Sequence, residues 1–186
     1  LLLAATVCAP LPAVARRHAG ELATGLPGIR LAQTPPDFTF DGQDGPQRFH
    51  ALFGRPIVLS FWATWCAPCQ SEISAFAEME KVYGDGVPFV AVSEDTTPGA
   101  AEAYLRAHQI RAISVDDPDR KIFGLYTVVP IPTTLVLWPD GAVAHVSVGA
   151  LDWDELRTAI ERVRPGSLTL PGSLSTMGGN AGTPDP

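Results

Sequence analysis

Two cysteines with two residues between them, Cys66-Ala67-Pro68-Cys69, follow two tryptophans at the end of a hydrophobic run in the stretch LSFWATWCAPCQSE (59–72). A thiolate is a nucleophile toward disulfides and also a metal ligand. The pair is therefore a redox couple, half of a metal site, or a structural staple. Zinc sites take four protein ligands, or three and a water, and the histidines at 18, 50, 108 and 145 are scattered, none with a partner at ligand spacing. A purely structural bridge across this spacing closes a very short loop and constrains the unfolded chain little. Redox chemistry suits the setting best. Cys66 falls where an extended run gives way to a helical pattern, and a helix N-terminus offers unpaired N–H groups and partial positive charge. Both favour a thiolate, so Cys66 is expected below the range of a free thiol. Cys69, three residues on, shares the same side of the first turn. It is placed to attack the mixed disulfide that Cys66 opens on a substrate. Pro68 costs little in a first turn, whose N–H groups lack helical partners. Glu72 has two readings: an exposed first-turn acid that answers the helix dipole, or a carboxyl partly buried near the thiols that titrates high and exchanges protons with Cys69.

The elements that must position these groups read as follows. PIVLSFW (56–62) is a β-branched and aromatic run fit for a strand buried on both faces. From Cys66 to Tyr83 the period is helical, with Ile73, Phe76, Ala77 and Tyr83 on one face and Gly84 and Gly86 as the stop. VPFVAVS (87–93) is a second buried strand, which makes a right-handed βαβ unit with parallel strands. Before it, PDFTF and PQRFH flank the turn DGQDG and form a hairpin. After it come a helix capped by Thr97 with Pro98 in its first turn, a short strand near 112–115, and a helix capped by Asp117 with Pro118 behind it. TTLVLW (133–138) and AVAHVSV (142–148) surround the turn PDG as an antiparallel pair. The last helix opens with a capping box, Asp152 and Glu155, buries Leu156, Ile160 and Val163, and ends at Pro165. The order is hairpin, βαβ, an αβα insertion, ββ, α: an α/β fold with a mixed central sheet and helices on both faces.

The formal net charge of −7 and the lack of any Lys/Arg run argue against nucleic acid or an anionic membrane surface as partner. No stretch reaches the roughly 18 apolar residues of a membrane span. Residues 1–15 are apolar and uncharged, and Ala13-Val14-Ala15 has the small-x-small form of a signal-peptidase site. They are read as the remnant of an export signal, with residues 16–34 as a linker or loose lead-in, 35–165 as the folded domain, and the Gly/Ser/Thr/Pro-rich 166–186 as a disordered tail. Cys8 is a lipid-attachment alternative, disfavoured by Val7 where a small residue is wanted. Signal removal leaves Cys66 and Cys69 alone in an oxidising compartment, unlike the many spread cysteines of a disulfide-stapled domain.

FWATWCAPC resembles the active-site signature of the thioredoxin superfamily, in the form carried by the TlpA/ResA-like thiol-disulfide oxidoreductases, and the resemblance covers about residues 36–164. It implies a thioredoxin-like fold extended by the N-terminal hairpin and the αβα insertion. Glu72 matches the family's active-site glutamate. VVPIPTTLVL resembles its cis-proline segment, which implies a cis Ile131–Pro132 bond facing the cysteines, with Ile131 offering backbone groups to an extended substrate. An ordinary trans proline opening a strand is the alternative. The resemblance implies catalytic roles for Cys66, Cys69 and Glu72 and substrate contacts from Trp65, Ala67, Pro68, Ile131 and Pro132. No metal or cofactor is expected beyond the redox-active cysteine pair. Trp62 is read as a wall of the site, and Glu94 and Asp95 as acids at a strand end where sites form. Two positions depart from the pattern: Ser60 stands where thioredoxins keep a buried Asp, and Ser74 replaces a helix-kinking proline.

The expectation is an exported, monomeric disulfide reductase acting on protein disulfides, such as those of apocytochrome c maturation, and recharged by a membrane thiol donor. The alternatives are an oxidase or isomerase on the same fold, or a non-catalytic binding module.

Overall fold

The computed structural model describes residues 29–42, 45–128 and 130–164. Among the described residues, seven strands and four α-helices follow the expected order: β1 (Thr39–Gly42), β2 (Gly45–Arg48), β3 (Ile57–Trp62), α1 (Ala67–Tyr83), β4 (Phe89–Ser93), α2 (Ala100–Ala107), β5 (Ile113–Asp116), α3 (Lys121–Leu125), β6 (Thr133–Leu137), β7 (Val143–Val148) and α4 (Trp153–Val163). β1 and β2 form a separate antiparallel hairpin, while the main sheet runs β5-β4-β3-β6-β7. β3 pairs in parallel with β4 and antiparallel with β6, so the sheet is mixed about its central strand.

Every residue of β3 is buried, as a run of β-branched and aromatic side chains requires in a sheet covered on both sides. Strand alternation then sorts its side chains. Val58 and Trp62 join one core with Ile73, Phe76 and Met79 of α1 and Leu156 and Ile160 of α4. Ile57, Leu59 and Phe61 join the other, with Phe38 and Phe49 of the hairpin region and Phe123 of α3. Ser60 has the parity of Val58 and Trp62, and it therefore faces α1. The same parity in β6 puts Thr134 on the face of Val136, and Ser60 and Thr134 are direct cross-strand partners.

Several local expectations are corrected. Thr97 does not cap α2 with its side chain. Thr97-Pro98-Gly99 form a turn, Gly99 takes a left-handed backbone (φ 71°), and its N–H donates to Asp116 Oδ2 at 2.9 Å, so a strand end supplies the acceptor. Asp117 caps α3 from farther away than expected. Its carboxylate accepts from Lys121 N at 2.8 Å and Phe123 N at 2.9 Å across a turn, and the helix starts only at Lys121. The capping box is seen in its forward half: Asp152 accepts from Glu155 N at 2.8 Å, while the Glu155 carboxylate lies 3.7 Å from His145 Nε2. The end of the linker is part of the folded body. Ile29 is buried, Ala32 N donates to Val143 O at 2.8 Å, and Val143 N donates to Gln33 O at 2.9 Å, which attaches residues 29–34 to the edge of β7. With Ser74 in place of a proline, α1 runs unbroken for 17 residues. The signal segment, the lipidation site Cys8, most of the linker, Pro165 and the tail lie outside the described residues.

Candidate active site

The central strand delivers the cysteines. After Trp62 the chain turns through Ala63, Thr64 and Trp65, and Cys66 then takes the N-cap position of α1 with extended backbone (φ −88°, ψ 103°). Its Sγ accepts from Cys69 N at 3.3 Å, and the two cysteines form a disulfide with Cα atoms 5.2 Å apart. Pro68 occupies the first turn, where its missing N–H costs nothing. Cys69 is fully buried and Cys66 retains 7% of its surface, with Ala67 and Pro68 exposed beside it. Cys66 is therefore the more accessible sulfur of the two. Trp65 is 66% exposed, an apolar surface adjacent in the chain to Cys66, whereas Trp62 is buried and belongs to the core.

Glu72 lies one helical turn past Cys69 and is buried to 1%. It descends onto the cross-strand pair set up by the sheet register. Oε1 accepts from Ser60 Oγ at 3.1 Å and from Thr134 Oγ1, and Oε2 accepts from Leu151 N at 2.8 Å. Burial pushes the Glu72 carboxyl above its ordinary value, while the bonds from Thr134, Leu151 and Ser60 pull it back in part. A carboxylate offers about four acceptor positions. Three are filled, two on Oε1 and one on Oε2. Ser60, a departure from the thioredoxin pattern, is thus a hydrogen-bond partner of the helix acid Glu72.

Ile131–Pro132 is cis. Phe61 pairs with Thr133, so one further step along the two strands brings Pro132 beside Trp62, at the sheet end where the cysteines emerge. Ile131 is half-buried and packs against the core cluster that contains Cys66 and Cys69. Gly149 N donates to Pro132 O at 2.8 Å and Thr133 Oγ1 to Pro130 O at 2.8 Å, which fixes the segment on both sides of the cis bond. The two chain segments named by the sequence therefore meet at one end of the sheet.

Glu94 and Asp95 turn inward. Glu94 is ion-paired with Arg120, whose other nitrogen donates to Val128 O at 3.1 Å. Asp95 is buried and accepts from Thr64 N at 3.0 Å, Thr64 Oγ1 at 2.7 Å and Ser93 Oγ at 2.5 Å. Sequence reasoning did not assign Thr64, Thr134 or the Leu151 amide. The available signal was hydroxyls within strands that otherwise read as apolar: Ser60 in β3, and Thr133 and Thr134 in β6. Among the described residues no group of three or more His, Cys, Asp or Glu side chains gathers as a metal site, and no helix is long and apolar enough to cross a membrane.

Comparison with known proteins agrees with this geometry. Residues 31–146 match the family model described as AhpC/TSA. The thiol-disulfide oxidoreductase ResA of Bacillus subtilis is 28% identical over 147 residues, covering 78% of this chain and 82% of its own. A protein described as a thiol:disulfide interchange protein DsbE from Chlorobium tepidum superposes with a TM-score of 0.65 at 27% identity, covering 75% of this chain and 99% of its own. A secreted disulfide oxidoreductase of Mycobacterium tuberculosis, described as homologous to DsbE, gives a TM-score of 0.59 at 25% identity, over 67% of this chain and 95% of its own. The fold is thioredoxin-like, with the hairpin and αβα insertion in place. The chain belongs to the AhpC/TSA family, and within it carries the dithiol of a thiol-disulfide oxidoreductase of the ResA and DsbE type.

Proposed function

We propose that this protein is an exported disulfide reductase that acts on other proteins outside the cytoplasm, with cytochrome c maturation as the process that the resemblance of its active-site signature to the TlpA/ResA-like oxidoreductases implies. The observation that carries the reading is the asymmetry of the pair: Cys66 at the helix N-terminus keeps a little exposed surface, Cys69 is fully buried behind it, and a buried acid follows one turn further. In the reduced protein the N–H groups of the first turn favour the Cys66 thiolate. The thiolate attacks a substrate disulfide, forming a mixed disulfide and releasing one substrate thiolate, which takes a proton from solvent. Cys69 then loses its proton toward Glu72 and attacks Cys66 Sγ. The second substrate sulfur leaves as a thiolate, the Cys66–Cys69 disulfide closes, and two electrons have passed to the substrate. Trp65, Ala67 and Pro68 border the reactive sulfur, while Ile131 and Pro132 present backbone to the substrate chain. A thiol donor, held in the membrane in this reading, returns the electrons. The site as drawn is complete within one copy of the chain.

The test is the redox equilibrium of the purified domain against graded glutathione or dithiothreitol, read by trapping the thiols of Cys66 and Cys69. A potential below about −200 mV, toward the thioredoxin end near −270 mV, supports the reductase. A value near −120 mV makes the protein an oxidant. No reversible couple would return the function to a binding module.

A further inference from the structure

The mechanism leaves Asp95 without a part, yet it holds three donors from two elements. Two come from Thr64, the second residue before Cys66: the backbone N–H to Oδ2 at 3.0 Å and the hydroxyl to Oδ1 at 2.7 Å. The third is the Ser93 hydroxyl to Oδ2 at 2.5 Å, and Asp95 N in turn donates to Ser93 Oγ at 3.0 Å. Donors alone converge on its two oxygens, as an acceptor-only carboxylate requires. The other side of Thr64 is tied to α1, because Gln70 Nε2 donates to Thr64 O at 2.6 Å. Cys66 N closes the turn on Ala63 O at 3.2 Å. Thr64 is thus fixed at its N–H, its carbonyl and its side chain. The residue that follows it, Trp65, is mostly exposed and supplies little packing to hold the turn. Hydrogen bonds, with Asp95 at their centre, keep Cys66 at the head of the helix.

We propose that Asp95 is a positioning residue for the thiol chemistry: by clamping Thr64 it keeps Cys66 Sγ at the N-terminus of α1, and so sets how reactive that sulfur is and where the dithiol–disulfide equilibrium lies. This rests on the thiol-exchange reading above. The clamp acts through geometry and against its own charge. A negative charge near a thiolate disfavours it, so an Asp95 that mattered only as a charge would slow the thiol. The clamp predicts that Asp95 speeds it. The two roles have opposite signs.

The experiment compares wild type with Asp95→Ala, Thr64→Val and Thr64→Ser in the full chain. Three readouts are taken: the alkylation rate of reduced Cys66 by iodoacetamide at neutral pH, the equilibrium constant with glutathione, and the thermal midpoint. Asp95→Ala removes both acceptor oxygens and with them the bonds from Thr64 and Ser93. Thr64→Val removes one bond and Thr64→Ser retains it. Loss of the clamp is expected to slow alkylation by about threefold to tenfold and to move the equilibrium toward the disulfide by a similar factor, a tenfold change being about 30 mV for two electrons. Thr64→Ser is expected to restore both. Faster alkylation in Asp95→Ala would overturn the proposal in favour of a charge effect. Unchanged rate and equilibrium with a lowered midpoint would overturn it in favour of fold support alone. Should Asp95→Ala fail to fold, the Thr64 pair decides by the same criteria. A wild type with no reversible couple refutes the underlying function instead, which separates the two failures.

Discussion

Replacing Thr134 by valine isolates one of the three donors that hold Glu72. The side chain keeps its shape, both residues are buried, and no cavity opens, so the change is the loss of a hydroxyl donor to a buried carboxyl. A hydrogen bond to a charged group contributes about 1.5–3 kcal/mol. Burying a methyl in place of the hydroxyl offsets about 0.8 kcal/mol of that. The net cost is about 1–2 kcal/mol where Glu72 is ionised. Once Glu72 is protonated, the lost bond is one between neutral groups, worth about 0.5–1.5 kcal/mol, and the net cost falls to within about 0.5 kcal/mol of zero. Losing a donor to the charged form also pushes the carboxyl further upward, in the direction that burial already drives it. Urea unfolding with a slope of about 2 kcal/mol per M translates the alkaline cost into a midpoint lowered by about 0.5–1 M. The assay is paired urea melts of wild type and Thr134→Val at about pH 4 and about pH 8, with the cysteines oxidised in both. A cost of equal size at the two pH values, or one under about 0.5 kcal/mol at the higher, would refute the account of Glu72 as a buried acid held by strand hydroxyls.

Other outcomes follow from the same geometry. Cys69→Ala should accumulate a mixed disulfide between Cys66 and a substrate protein, visible by mass spectrometry and released by dithiothreitol, whereas Cys66→Ala should show neither the adduct nor reducing activity. Trp65→Ala should change the unfolding midpoint little, because an exposed side chain away from special features contributes within about 0.5 kcal/mol, yet it should raise KM for a protein disulfide. Glu72 binds its proton more tightly folded than unfolded, so between the ordinary value of 4.5 and its raised folded value the native state carries the extra proton. Stability attributable to this group is therefore present at low pH and lost as pH rises through that window. Wild type should weaken relative to Glu72→Gln across it and hold a constant difference above it. A difference that grows in the opposite sense, in denaturant melts over pH 4–8, would reverse the assignment. Glu72→Gln should also slow closure of the mixed disulfide by about 100-fold or more if the acid moves the Cys69 proton.

Much of the site was legible because its signals are local. A buried strand run, two cysteines on the first turn of a helix and a proline before a second strand each announce themselves within a few residues. The Glu72 partners were not legible, because Ser60 and Thr134 meet only through the register of β3 against β6, and Leu151 is brought in by the approach to α4. Helix starts failed for the same reason. Asp116 serves α2 from the end of a strand, and Asp117 reaches α3 across a turn, where local capping rules look to the adjacent residue. The lead-in at 29–34 carries no period of its own. It borrows its backbone geometry from the exposed edge of β7.

The bond from Leu151 N to Glu72 Oε2 gives the molecule a built-in indicator. An amide proton that points at a carboxyl oxygen feels that oxygen gain or lose a proton, so its resonance should move as Glu72 titrates. Leu151 lies just ahead of α4, in a chain segment remote in sequence from the cysteines. One backbone peak, followed in the oxidised and reduced protein, would therefore report whether closing the disulfide alters the hold of the acid on its proton, with no label placed at the reacting sulfurs.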